Sequence, residues 1–154
     1  MTRFLIAVLA LITPFVQEGI FPVGTNDRAR IEAAFGGPVV IEFGQKLMFG
    51  ESKGIFISLP IGTQVKALLG GKVVESGFKG EYSGLGAEIK VDRDITLIYG
   101  CLGKLAVSNG DSITPGQVIG YSAGGGDVCG QQGPGVKIRL KRKGMYINPI
   151  GNLP

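Results

Sequence analysis

Glycine sets the limits on what this chain can become. Its 27 glycines recur every few residues. Beyond residue 50 they cut the apolar residues into short runs, at 54–59, 64–69, 72–76, 85–91, 95–99, 117–121, 136–140 and 145–147. A helix buries its face through a 3.6-residue period sustained over about ten residues or more, and no such period appears in this part of the chain. Short apolar runs between Gly-bearing turns specify strands instead. At 136–140, Val136, Ile138 and Leu140 alternate with Lys137 and Arg139, as in a strand buried on one side. The expected product is an all-β fold, an antiparallel β-sandwich or partly open barrel.

Before residue 50 the texture differs. Thr2 and Arg3 precede an apolar run at 4–16, closed by Gln17 and Glu18. A cation followed by a run of this size has the layout of a secretory signal, and it is short against the roughly 20 residues of a membrane span. Three readings stand: a cleaved signal, an uncleaved membrane anchor (an N-terminal hydrophobic helix), or an apolar arm buried in an assembly. Thr25 or Asn26 offers a helix cap, and Ile31, Ala34 and Phe35 give a short helix over 28–35 that stops at Gly36-Gly37. Pro38 then opens a strand at 39–43. The expected organisation is a signal-like or membrane-anchoring segment at 1–22, a linker with a short helix at 23–37, and a β-domain at 38–154.

One turn grammar occurs twice. PIGTQVKA at 60–67 leads to GGKVV at 70–74, and NGDSITPGQVIG spans 109–120. Each is a turn that delivers a strand, which suggests a hybrid-type β-fold with internal pseudo-symmetry.

The ionisable residues exclude more than they offer. The chain has no histidine, and so lacks the usual neutral-pH acid/base and the usual zinc ligand. Net charge is +4, with the basic residues densest at 137–143. Such basicity suits an anionic partner such as a cell-wall polymer, a lipid surface or nucleic acid, but a solvated face is the favoured reading, and no aromatic-rich basic motif supports nucleic-acid recognition. The carboxylates Glu42, Glu51, Glu81 and Glu88 are scattered, and Asp92-x-Asp94 brackets a hairpin turn. A carboxylate pair for glycoside hydrolysis is not legible from sequence, because the separation that defines it is not.

Several collinear segments resemble one family. GTQVKA at 62–67 with GKVV at 71–74 resembles G-T-P-V-x-A…G-x-V of the lysostaphin-type (LytM-like) zinc endopeptidases. LGAEIK at 85–90 resembles their G-x-x-V-x-I, and ITLIYGCL at 95–102 their T-x-Y-A-H-L. GDSITPGQVIG at 110–120 resembles G-D-x-V-x-x-G-Q-x-I-G, and GPGVKIRL at 133–140 with INP at 147–149 resembles G-P-H-L-H-F-E-I with V-N-P. Phe43-Gly44 matches a further F-G. The order holds from residue 38 to the end. The resemblance implies a LytM-like (duplicated hybrid motif) fold. It also implies a zinc ion held by His, Asp and His, whose bound water attacks a peptidoglycan peptide bond while a further His assists.

Carried across, those positions are all substituted. The His and Asp of H-x-G-x-D fall on Ser52 and Phe56, with Gly54 retained. The His of Y-A-H-L falls on Cys101. The His-x-His falls on Gly135 and Lys137, and Lys137 stands at the ligand position. Serine is a poor zinc ligand, phenylalanine and glycine supply no donor, and lysine places an ammonium where a dication belongs. The expectation is a degenerate groove at Ser52, Phe56, Cys101, Gly135 and Lys137, with no metal, no cofactor and no catalytic residue. Either ordinary strand residues have filled it, or Lys137 and Ser52 bind an anionic or peptide group.

The resemblance also places Cys101 and Cys129 beside the same groove. It implies a disulfide between them in an oxidising compartment; two small buried thiols fit the sequence equally, and a nucleophilic cysteine lacks any histidine partner. The functional expectation is a catalytically inactive structural or binding module, exported, periplasmic or membrane-anchored, or else part of a phage virion. Its partners would be peptidoglycan or other envelope or virion proteins, with no nucleic acid; the N-terminal segment could engage a membrane. The alternatives are a peptidoglycan metallo-endopeptidase with non-standard ligands, and a lipoyl-like or phosphotransfer carrier. The carrier needs a displayed lysine hairpin or a histidine, and has neither.

Overall fold

The computed structural model describes residues 23–48, 50–124 and 133–154. The segment at 1–22 and Cys129, on which the signal, anchor and disulfide expectations rest, lie outside the described residues. Among the described residues no helix is long and apolar enough to cross a membrane.

Alternation along the strands builds the sheet. Helix α1 (Val23–Phe35) is followed by β1 (Val39–Ile41), a hairpin of β2 (Lys46–Leu47) and β3 (Gly50–Glu51), then β4 (Ile55–Ser58) and β5 (Gln64–Lys66). Next come β6 (Gly71–Lys79), a 3-10 turn (Gly80–Tyr82), β7 (Gly84–Lys90), β8 (Ile95–Leu105), β9 (Ser112–Ile113), β10 (Val118–Ser122), β11 (Gly135–Arg142) and β12 (Met145–Ile147). Ten of these strands form one antiparallel sheet in the order β1-β4-β11-β8-β7-β6-β9, with β12 on β11 and the β5/β10 pair on the far half of β8. It is an open β-fold, as the Gly-punctuated runs require.

The sheet has two apolar sides of unequal size. Ile55, Ile57, Val136, Ile138 and Leu140 are fully buried in the main core with Ile89, Leu97, Tyr99 and Ile119. A second, smaller cluster joins Ile41, Phe56, Cys101 and Ala123. Odd-numbered positions of β11 therefore face away from the main core, beside that second cluster.

Several elements depart from their expected bounds, and two of the departures have a legible cause. The helix already includes Val23, so Thr25 and Asn26 lie inside it and do not cap it. Its buried stripe starts at Asp27, which is 3% exposed, and continues through Ile31 and Phe35 into the main core. The Asp27 carboxylate accepts a hydrogen bond from the Gly151 N–H at 2.7 Å and pairs with Arg30 at 3.2 Å. This anchor to the C-terminal segment holds the extra turn, a tertiary contact that outweighs cap preference. Strand β8 runs on through Gly100, beyond the end of the apolar run at Tyr99. Between the pairs Leu85–Leu102 and Ala87–Tyr99, β8 carries one more residue than β7, a bulge with Cys101 at φ 62°.

Candidate functional site

The site is organised by register. On β11, Lys137 lies opposite Phe56 of β4 on one side and Gly100 of β8 on the other. Side chains directly paired across antiparallel strands share a face, so Phe56 and Lys137 stand together on the side away from the main core. Gly135, two residues earlier on β11, shares that face. The bulge turns Cys101 into the same small cluster, where it is fully buried against Phe56. Cys101 is disulfide-bonded. The four strand positions singled out from sequence thus converge. Ser52, at the end of the β2–β3 hairpin, joins Phe56 and Lys137 in lining one groove.

That groove encloses about 330 Å³. It is lined by the apolar Ile41, Leu47, Ile55 and Phe56 and by the polar Glu51, Ser52, Lys53, Lys137, Arg139 and Tyr146. The Phe56 ring fills the space above Gly135. A β-carbon on Gly135 would come 2.7 Å from the ring carbons Cε2 and Cζ of Phe56 and 2.1 Å from the Ile57 carbonyl oxygen. Glycine and phenylalanine are therefore complementary, one giving up the volume that the other occupies.

Gly100 performs a similar service. Its missing β-carbon leaves room for the backbone of Tyr82, whose carbonyl oxygen would lie 2.5 Å from it. The 3-10 turn can then rest on β8 and present Ser83, at φ 57°, to Lys137. The Lys137 ammonium donates a hydrogen bond to Ser83 Oγ at 2.6 Å. Burial, with a smaller contribution from the Arg139 charge, lowers the Lys137 pKa from 10.5 to about 8.

Zinc requires several Cys, His, Asp or Glu donors around one point. The Ser52 hydroxyl donates to the Gly54 carbonyl at 2.7 Å and accepts from the Gly54 N–H at 3.4 Å, so it closes its own turn. Phe56 has no lone pair, Gly135 has no side chain, and Lys137 brings positive charge. Among the described residues, no three His, Cys, Asp or Glu side chains stand together as a metal-holding group. The residues present do not fit the ion that the resemblance implies.

One residue was missed. Arg139 follows Lys137 on the same face, lies in the groove wall and stacks its guanidinium over the Tyr146 ring at 5.3 Å. The signal was available, because GPGVKIRL sets Arg139 against the Glu of G-P-H-L-H-F-E-I.

A family model for peptidase family M23 matches residues 50–149, which include every strand around the groove. The chain belongs to peptidase family M23. Among curated relatives, this M23 domain is 30% identical over 115 residues to the murein hydrolase activator EnvC of Escherichia coli, covering 73% of the chain and 26% of that protein. It is 29% identical over 99 residues to a Haemophilus influenzae protein, covering 64% of the chain and 23% of that protein. The chain therefore spans about a quarter of the length of the curated relatives it matches.

Among solved structures, the catalytic domain of the prophage-encoded M23 protein EnpA from Enterococcus faecalis superposes with TM-score 0.64 at 27% identity, over 75% of this chain and 92% of that one. The catalytic domain of lysostaphin from Staphylococcus simulans gives 0.65 at 24% identity, over 77% and 92%, a likeness of fold.

The lowered Lys137 pKa is directly measurable. In an NMR titration the Lys137 side chain should lose its proton near pH 8. The unfolded lysine holds its proton to 10.5, so between these values the unfolded state binds more protons and stability rises with pH. Relative to Lys137→Met, the parent protein should gain stability between pH 8 and 10 in urea unfolding. A Lys137 midpoint near 10.5 would contradict the desolvated environment.

Proposed function

We propose that this chain is a non-hydrolytic M23 domain that acts as a binding module at the cell envelope, with its groove turned towards peptidoglycan or an envelope or virion protein. The observation that carries the reading is the packing of Phe56 over Gly135 with Lys137 alongside. An aromatic ring and an ammonium occupy the positions where the family resemblance implies two zinc ligands. A domain without an activated water has no nucleophile for peptide hydrolysis, yet keeps the groove that surrounds it. The relative named a murein hydrolase activator supports a role in which an M23 domain serves hydrolysis without performing it. The signal-like segment at 1–22 supports export to the periplasm or attachment to the membrane.

Peptidoglycan sedimentation tests the binding role, and a cell-wall digestion assay tests the missing activity. The purified protein should sediment with peptidoglycan, release no soluble fragments, and lose retention on Lys137→Ala substitution. Release of fragments would overturn the non-hydrolytic reading in favour of a metallo-endopeptidase with unusual ligands.

Cys101 is disulfide-bonded and buried beside Phe56, and its partner in this reading is Cys129, the other cysteine of the chain. The bond requires an oxidising compartment, consistent with export. Alkylation of the unreduced, denatured protein should modify no thiol. Modification of both cysteines would reject the bond.

A further inference from the structure

We infer that the sheet carries a second binding site, separate from the groove: a line of lysines and hydroxyls across six strands, suited to a linear phosphodiester polymer. It uses none of the residues at the implied ligand positions, so it does not depend on the binding role proposed above.

The line follows from register. Ser112 of β9 lies opposite Lys72 of β6, and Lys72 opposite Lys90 of β7. Lys90 lies opposite Thr96 of β8, Thr96 opposite Lys141 of β11, and Lys141 opposite Tyr146 of β12. Directly paired side chains share a face, so the six residues form one continuous row. Lys141 stands four residues after Lys137 on β11, which sets the row on the groove side of the sheet, about 13 Å from Lys137. Strands repeat about every 4.8 Å, and the row is therefore about 24 Å long. Ser112, Lys72 and Lys90 are exposed, and Thr96, Lys141 and Tyr146 are half-buried.

The row is short of negative charge. Lys72 and Lys90 face each other directly, a like-charge pairing that costs stability. Among the described residues the ion pairs use Arg28, Arg30 and Lys79, and none uses a lysine of the row. Glu75 and Glu88 share the face, since Glu88 is two residues from Lys90 and pairs with Glu75. Both are engaged elsewhere: Glu75 holds Lys79 at 2.7 Å, and Glu88 accepts from the Tyr82 hydroxyl at 2.7 Å. Asp92 and Asp111, in the turns beside the row, accept from backbone N–H groups. Arg93 and Asp94 of the first turn cancel in charge. A bound anion would relieve the repulsion that these carboxylates leave in place.

The shape of the row selects the anion. Ammonium and hydroxyl groups both donate to phosphate oxygens, and here they succeed one another along a line. Such a line matches charges strung along a chain better than one isolated anion. The row has no large aliphatic side chain to enter a bilayer. Its one ring, Tyr146, already carries Lys141 at 5.2 Å and Arg139 at 5.3 Å, so it offers no free platform for a nucleobase. A phosphodiester chain without bases is the polymer that these features fit.

The test is binding of the full chain to a synthetic poly(glycerol phosphate) long enough to span the row, at pH 7, by calorimetry and lysine side-chain NMR. The comparison ligands are glycerol phosphate, polyglutamate, oligothymidylate and phosphatidylglycerol vesicles. Lys72, Lys90 and Lys141 should shift together as the polymer is added. The polymer should bind at least about tenfold more tightly than glycerol phosphate, because successive phosphates of one chain engage successive lysines. Replacing the three together, Lys72→Gln, Lys90→Gln and Lys141→Gln, should weaken binding by about tenfold or more and lower the slope of log K against log salt by about 2. A charge-matched variant off the row, Lys46→Gln, Lys66→Gln and Lys104→Gln, should stay close to the parent. No binding of the polymer, equal losses in the two variants, or polyglutamate binding as tightly as the polymer would overturn the assignment. Tighter binding of oligothymidylate or of the vesicles would overturn it in favour of a nucleic acid or a membrane surface. The ligand comparison uses the parent protein, so it decides the matter even if a variant fails to fold.

Discussion

Everything in the groove depends on the antiparallel pairing of β11 with β4 and β8. That register sets Lys137 between Phe56 and Gly100, and a slip of one residue would send Lys137 into the main core and Ile138 to the groove. The main core itself fixes the register. Val136, Ile138 and Leu140 are fully buried on one side of β11, opposite Ile57 and Ile55 of β4, and that burial leaves one alignment. The same alternation that stabilises the sheet thus delivers the groove residues to their places.

A zinc site and an apolar plug are alternative ways to complete such a face. Here the second cluster of Ile41, Phe56, Cys101 and Ala123 supplies hydrophobic burial where coordination bonds would otherwise hold the strands. Lys137 adds an electrostatic obstacle. A dication brought beside its ammonium would meet like-charge repulsion. The fold survives this exchange because its main core, from Ile31 on the helix to Leu140 on β11, lies on the other side of the sheet.

Much of this was legible in the residues. Glycine punctuation and period-two alternation gave the class of fold, and the strand at 145–147 was placed to the residue. Ser52, Phe56, Gly135 and Lys137 were singled out by their places in collinear motifs. What stayed hidden was set by tertiary contact. No sequence period reveals that Asp27 would bond to Gly151, 124 residues away, and lengthen the helix. A bulge that sets Gly100 and Cys101 against the single Gly86 is invisible when Gly100 reads as a stop. Ser83 showed no sign that its hydroxyl would receive Lys137, because a 3-10 turn and a missing β-carbon on Gly100 bring them together. Arg139 is marked in the sequence only by its reversed charge against the Glu of the motif, since it stands at none of the implied ligand positions.

We propose that Phe56 and Lys137, at the positions where the family resemblance implies ligands, leave the groove without affinity for zinc. A competition titration against a chromophoric chelator measures this directly, comparing the parent with a protein carrying Ser52→His, Phe56→Asp, Gly135→His and Lys137→His together. The parent should leave the chelator fully loaded, and the combined variant should withdraw one zinc per chain. Stoichiometric zinc uptake by the parent would contradict the claim.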